Sequence, residues 1–114
     1  MDIKSNFVGN KVILQLIGTF SGEPDLEVFS HTINKLIQGG KYNVILDMSE
    51  VPWINSLGLG HVMSAISHLR NKGGDLKMAG ANPTIRRLLE MTSLTLILES
   101  YEDVQLALDS FKLT

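Results

Sequence analysis

Cysteine is absent from this sequence, which excludes a disulfide scaffold, a thiolate zinc site, an iron–sulfur cluster and a cysteine nucleophile. An excess of one charge is also lacking: 10 Lys and Arg stand against 12 Asp and Glu, for a formal net charge of −2. A general nucleic-acid binder presents a strongly basic face, so this balance predicts no nucleic-acid partner. No apolar run approaches roughly 20 residues, the length that spans a bilayer, and no membrane partner is expected. The start, Met1-Asp2-Ile3-Lys4-Ser5-Asn6, lacks the apolar stretch of a secretory signal, so a cytoplasmic location is the expectation. What remains is 114 residues, 44% of them hydrophobic. That is too apolar for a disordered chain and suits one compact domain over residues 1–114.

Hydropathy alternates between two periods along the chain. Residues 3–8 and 11–17 read as strands joined by Gly9-Asn10, a dipeptide suited to a tight hairpin. In the second strand Val12, Leu14 and Leu16 share one face. Pro24 suits the first turn of a helix whose stripe is Leu26, Phe29, Ile33, Leu36 and Ile37, ended by Gly39-Gly40. Val44-Ile45-Leu46 is an unbroken apolar run, as in a strand covered on both faces. A second helix runs to about residue 71, a fourth strand covers 76–80, and a short helix covers 83–91. Residues 94–98 read as a fifth strand, and Ser100-Tyr101-Glu102-Asp103 resembles a capping box before a last helix with Val104, Ala107, Leu108 and Phe111. The expected fold class is α/β: a mixed sheet of about five strands packed with about four helices.

Candidate chemistry is scarce. His61 and His68 lie two turns apart on one helix, about 10 Å at 1.5 Å per residue, too far to grip one ion. With His31 they read as solvated surface groups. Asp47, ending the buried strand, reads as a hydrogen-bond acceptor for the following loop, and Arg86 and Arg87 as a solvated face. Ser56 has no glycine two positions before it, as a nucleophile elbow requires. Gly58-Leu59-Gly60 is followed by His61 rather than by Gly-Lys-Ser/Thr, so it is no P-loop. A nucleophile, a base and an orienting group do not assemble, so no enzyme, cofactor or metal is expected.

Residues 53–60 are the exception. An apolar strand runs into a loop that delivers Ser56 to the start of a long helix, where free N–H groups and the helix dipole favour negative charge. Ser56 suits an N-cap there, and the same geometry suits a phosphoserine or a bound anion such as a nucleotide phosphate. Gly58 and Gly60 each lower helix propensity by about 1 kcal/mol relative to alanine. Two in one turn point to a close approach by something large, such as another protein's backbone. Trp53, the single tryptophan, fits either core or contact surface.

This segment resembles the signature of the STAS domain, the family of bacterial anti-sigma factor antagonists and of the cytoplasmic tails of sulfate transporters. The family pattern is a strand ending in Asp-x-Ser, then Val, an apolar residue and Asp-Ser-Ser/Thr-Gly-Leu-Gly. Here it reads Leu46-Asp47-Met48-Ser49-Glu50-Val51-Pro52-Trp53-Ile54-Asn55-Ser56-Leu57-Gly58-Leu59-Gly60. Gly73-Gly74 before a strand and Asn82-Pro83 with Ile85-Arg86-Arg87-Leu88-Leu89-Glu90-Met91-Thr92 extend the likeness over nearly the whole chain.

The resemblance implies a non-enzymatic partner switch. A serine-kinase-type anti-sigma factor would phosphorylate Ser56 and thereby lose its grip on the antagonist, and a PP2C-type phosphatase would reverse the step. The implied partner surface is Ser21, Trp53, Asn55, Ser56, Leu57, Gly58 and Gly60, on a monomer or weak dimer. Three positions depart from the pattern: Asn55 replaces the acid before the serine, Leu57 replaces the hydroxyl residue after it, and Ser21 replaces an acid after the second strand. These leave an alternative: a constitutive STAS scaffold in a larger signalling or transporter-regulating complex, without phosphorylation.

Overall fold

A computed structural model describes residues 1–111. The chain opens with a hairpin, β1 (Asp2–Val8) and β2 (Lys11–Ile17), paired antiparallel through the two-residue turn at Gly9 and Asn10. Gly9 adopts a positive φ of 62°, which a side chain disfavours. Then come α1 (Asp25–Gln38), β3 (Asn43–Glu50), α2 (Ser56–Asn71), β4 (Asp75–Ala79), α3 (Pro83–Met91), β5 (Ser100–Tyr101) and α4 (Val104–Ser110). The sheet order is β1-β2-β3-β4-β5, with β2 to β5 parallel. Parallel crossovers are right-handed, so strands laid down in one direction send every crossover helix to the same face.

The core follows from that rule. Val12, Leu14 and Leu16 of β2, with Val44, Leu46 and Met48 of β3 and Leu76 and Met78 of β4, meet the apolar stripes of α1, α2 and α3. Among the described residues only α4 covers the opposite face, where Ile45 and Ala79 pack on Ala107 and Phe111. The unbroken apolar run of β3 is therefore buried on both sides, as expected.

The C-terminal third corrects two expectations. Residues 94–98 are not a strand: Leu94–Leu96 form one 3₁₀ turn, entered through Ser93 at a φ of 60°. Leu98 is buried and Leu94 packs partly buried on the core, while Leu96 between them is 86% exposed, so the two ends of the segment, not a continuous strand face, hold it. The edge position beside β4 goes to Ser100–Tyr101. Nor does Ser100 open a capping box. Asp103 caps α4, its side chain accepting from the Leu106 N–H at 2.9 Å. Pro24 stands one position before α1, in its N-cap position, rather than in the first turn.

Candidate functional site

In a parallel sheet the loops leaving the carboxyl ends of the strands form the ligand-facing rim. Here three loops meet on that rim, after β2, β3 and β4. Beyond Ile17 the chain continues the β2–β3 pairing in irregular form: the Gly18 N–H donates to the Glu50 carbonyl at 3.0 Å and the Phe20 N–H to the Trp53 carbonyl at 3.2 Å. Phe20 and Ile54 form a parallel bridge, and both side chains are buried. Phe20 packs on Phe29 of α1, with ring centroids 5.0 Å apart. This pairing brings Ser21 to the start of α2.

The cap of α2 is Asn55, not Ser56. Asn55 is extended, with φ −102° and ψ −177°, and its Oδ1 accepts from the Gly58 N–H at 2.9 Å. Its Nδ2 donates to the Ser21 carbonyl at 2.8 Å. Asparagine serves both bonds because its amide carries an acceptor and a donor, whereas a serine hydroxyl is too short to bridge the two loops. Ser56 becomes the first residue of α2 and is exposed. No acidic residue occupies the first turn, so the positive end of the helix dipole at Ser56 meets no opposing carboxylate from its own turn.

The two glycines have different reasons. A Cβ on Gly58 would come within 2.5 Å of the Phe20 carbonyl oxygen and 2.7 Å of Ile54 Cγ1. Its lack of a side chain thus serves packing inside the molecule, which corrects the expectation of a foreign backbone there. A Cβ on Gly60 would meet nothing within 4 Å, and Gly60 is exposed. Trp53 is 49% and Leu57 58% exposed, so both flank Ser56 at the surface. Trp53 also edges a groove with Thr84, Arg87, Leu88 and Met91 of α3. Ser21 is half-buried beneath the same rim.

A second asparagine, missed in reading the sequence, completes the rim. Asn82 caps α3 by accepting from the Ile85 N–H at 2.9 Å, and its Nδ2 donates to the Pro52 carbonyl at 3.0 Å. The Asn-Pro dipeptide signalled the helix start but not the bond across to the neighbouring loop. Asp47 accepts a backbone bond through Oδ1, from the Ser49 N–H at 3.0 Å, but β3 continues to Glu50, so the bond lies within the strand and not in the following loop as expected. His31 and His68 are exposed, and His61 Nδ1 lies 3.1 Å from the Leu57 carbonyl. Among the described residues no three His, Cys, Asp or Glu side chains converge in a way that would hold a metal ion. No described helix is long and apolar enough to cross a membrane.

The STAS domain family model matches residues 3–107. The chain belongs to the STAS domain family. It is 28% identical to an anti-sigma F factor antagonist of Paenibacillus polymyxa over 61 residues, 54% of this chain and about half, 52%, of that relative. Its fold is similar to the crystal structure of a candidate anti-sigma factor antagonist from Thermotoga maritima, with a TM-score of 0.88 at 21% identity, covering 95% of this chain and 92% of the other. It is also similar to the anti-sigma factor antagonist SpoIIAA, whose unphosphorylated form matches with a TM-score of 0.75 at 18% identity over 97% of this chain and 98% of that one. The phosphorylated form, from Bacillus, gives 0.75 at 19% over 96% and 99%. In this STAS chain the motif residues after β3, Val51 to Gly60, and Asn82 after β4 meet at the carboxyl end of the sheet, while Gly73-Gly74 lies at the amino end of β4, with Gly74 against Tyr42.

Proposed function

We propose that this STAS domain is a partner-switching anti-sigma factor antagonist controlled at Ser56. In the unmodified state it binds a serine-kinase-type anti-sigma factor through the rim formed by Ser21, Trp53, Asn55, Ser56, Leu57 and Gly60. The kinase transfers the γ-phosphoryl group of ATP to Ser56 Oγ, and the phosphorylated rim releases it. A PP2C-type phosphatase hydrolyses the phosphoester and restores binding. The domain itself performs no chemistry in this scheme.

The observation that carries the reading is the exposed Ser56 at the first position of α2, flanked by half-exposed Trp53 and Leu57. A phosphoryl group adds about −1.5 to −2 charge there. On a chain of net charge −2 that roughly doubles the charge at a single point. Charge placed between apolar contact residues must be desolvated when a partner docks, and that penalty opposes binding. The two forms of SpoIIAA match this chain with the same TM-score, which supports a change of surface rather than of fold.

Intact mass after incubation with ATP and the cognate kinase tests the phosphorylation directly: one phosphoryl increment is expected, and none on Ser56→Ala. Ser56→Asp should bind the kinase more weakly than wild type. If both variants bind like wild type and no phosphate adds, the domain is the constitutive scaffold instead.

A further inference from the structure

Asn55 uses both ends of its amide, and only one of them is a cap. Oδ1 accepts from the Gly58 N–H, and Nδ2 donates to the Ser21 carbonyl, 34 positions earlier in the chain. An aspartate, the residue that STAS signatures carry here, keeps the first bond. It cannot make the second, because an ionised carboxylate has no donor. Its other oxygen would face the Ser21 carbonyl oxygen across the same gap, two acceptors with no proton between them.

We propose that Asn55 is a positioning residue: its amide donor holds the Ser21 loop against the start of α2, and an acid at this position releases that loop. This rests on the reading of the Ser56 rim as the partner surface. The direction of release follows from the packing. Phe20 stays anchored by its buried ring on Phe29, and Gly58 fits directly under the Phe20 carbonyl with no room to spare. A repelled loop therefore moves outward, into the space a partner would occupy. Restoring the family's acid in this chain then weakens the site, although the motif alone predicts that it would improve it.

Amide hydrogen exchange on Asn55→Asp, Asn55→Ala and wild type tests the brace without any partner. At neutral pH, protection of the Phe20 amide, which donates to the Trp53 carbonyl beside the brace, should fall about tenfold in both variants, the scale of one lost hydrogen bond. On acidification Asn55→Asp should recover, because a protonated carboxyl donates to the Ser21 carbonyl again; Asn55→Ala should not. A merely structural loss of packing gives no such pH-dependent rescue. Wild-type protection in Asn55→Asp at neutral pH overturns the inference, and so does an equal loss at every pH. In a second arm the cognate kinase and ATP are added. Both variants should be phosphorylated at Ser56 more slowly than wild type, and the uncharged alanine variant separates loop position from added charge. If Asn55→Ala is phosphorylated at the wild-type rate, the positioning role is overturned. If wild type takes no phosphate, the proposed function fails while the exchange data still judge the brace.

Discussion

Asn82 repeats at α3 the pair of bonds that Asn55 makes at α2, one strand further along the sheet. Each Oδ1 caps its own helix, and each Nδ2 donates to a carbonyl of the preceding loop, Pro52 for Asn82 and Ser21 for Asn55. Two amides thus link three loops across the carboxyl rim. A rim held this way loses little conformational freedom on docking, which favours affinity without any added contact.

The first prediction separates the two bonds of Asn82. Asn82→Ala removes the cap and the link to Pro52 and should lower stability by about 1–2 kcal/mol, read as a shift of the urea midpoint. Asn82→Ser keeps a capping oxygen but cannot reach the Pro52 carbonyl as the amide does, so it should fall between wild type and alanine. A serine variant as unstable as alanine would mean that the cap contributes nothing here.

The paired glycines give opposite signs for the same substitution. A Cβ on Gly58 meets the Phe20 carbonyl and Ile54 inside the molecule, and overpacking against backbone typically destabilises by about 1–3 kcal/mol. Gly60 lies two positions later on the same helix with open space around it. There alanine should stabilise by about 0.5–1 kcal/mol, by restricting the unfolded chain and improving helix propensity. Urea unfolding of Gly58→Ala and Gly60→Ala checks both signs at once.

On the opposite sheet face Lys77 is buried and reaches Ser110 Oγ at 2.7 Å, the Phe111 ring at 4.3 Å and Glu99 at 3.5 Å. The Glu99 carboxyl titrates below its ordinary 4.5, chiefly because the Tyr101 hydroxyl donates to it, with the Lys77 ammonium adding to the same direction. A carboxyl lowered in the fold binds fewer protons there than when unfolded. Its contribution to stability is therefore present above 4.5 and lost as pH falls through the lowered folded value. Glu99→Gln should be less stable than wild type at neutral pH, and the gap should close on acidification. Because Glu99 is half exposed, solvent screening keeps the effect small. Thermal unfolding across the acid range reads it.

Much of this architecture was legible because single-period patterns report burial. The alternation of β2 holds since one of its faces is fully buried, and the unbroken run of β3 holds since both are. Residues 94–98 misled for the same reason: apolar content implies a strand only where a neighbour covers it, and here Leu98 is buried and Leu94 partly so, while Leu96 and Ile97 are exposed. The start of the second helix was legible near Ser56, but not that Asn55 is its cap and Ser56 its first residue. Serine and asparagine are comparable caps, and what selects Asn55 is a carbonyl 34 residues away, outside any local window. The packing reason for Gly58 was hidden likewise, since the Phe20 carbonyl meets it only in the folded chain.

The last prediction concerns where the binding energy of the rim resides. Trp53 exposes about half of its surface and Leu57 slightly more; they stand three positions before and one after Ser56. A tryptophan half in solvent contributes little to the core, so Trp53→Ala should leave folding within about 1 kcal/mol of wild type. At the centre of a protein contact, truncating a tryptophan commonly removes about 2 kcal/mol or more of binding, which is roughly a 30-fold weaker dissociation constant. Ile54, the buried neighbour, should show the reverse: Ile54→Ala loses about 2–5 kcal/mol of stability. Calorimetric titration of the proposed kinase partner against Trp53→Ala, beside urea unfolding of both variants, distinguishes the two roles. Wild-type affinity in Trp53→Ala would remove Trp53 from the contact and move the centre of the surface toward Gly60 and the outer face of α2.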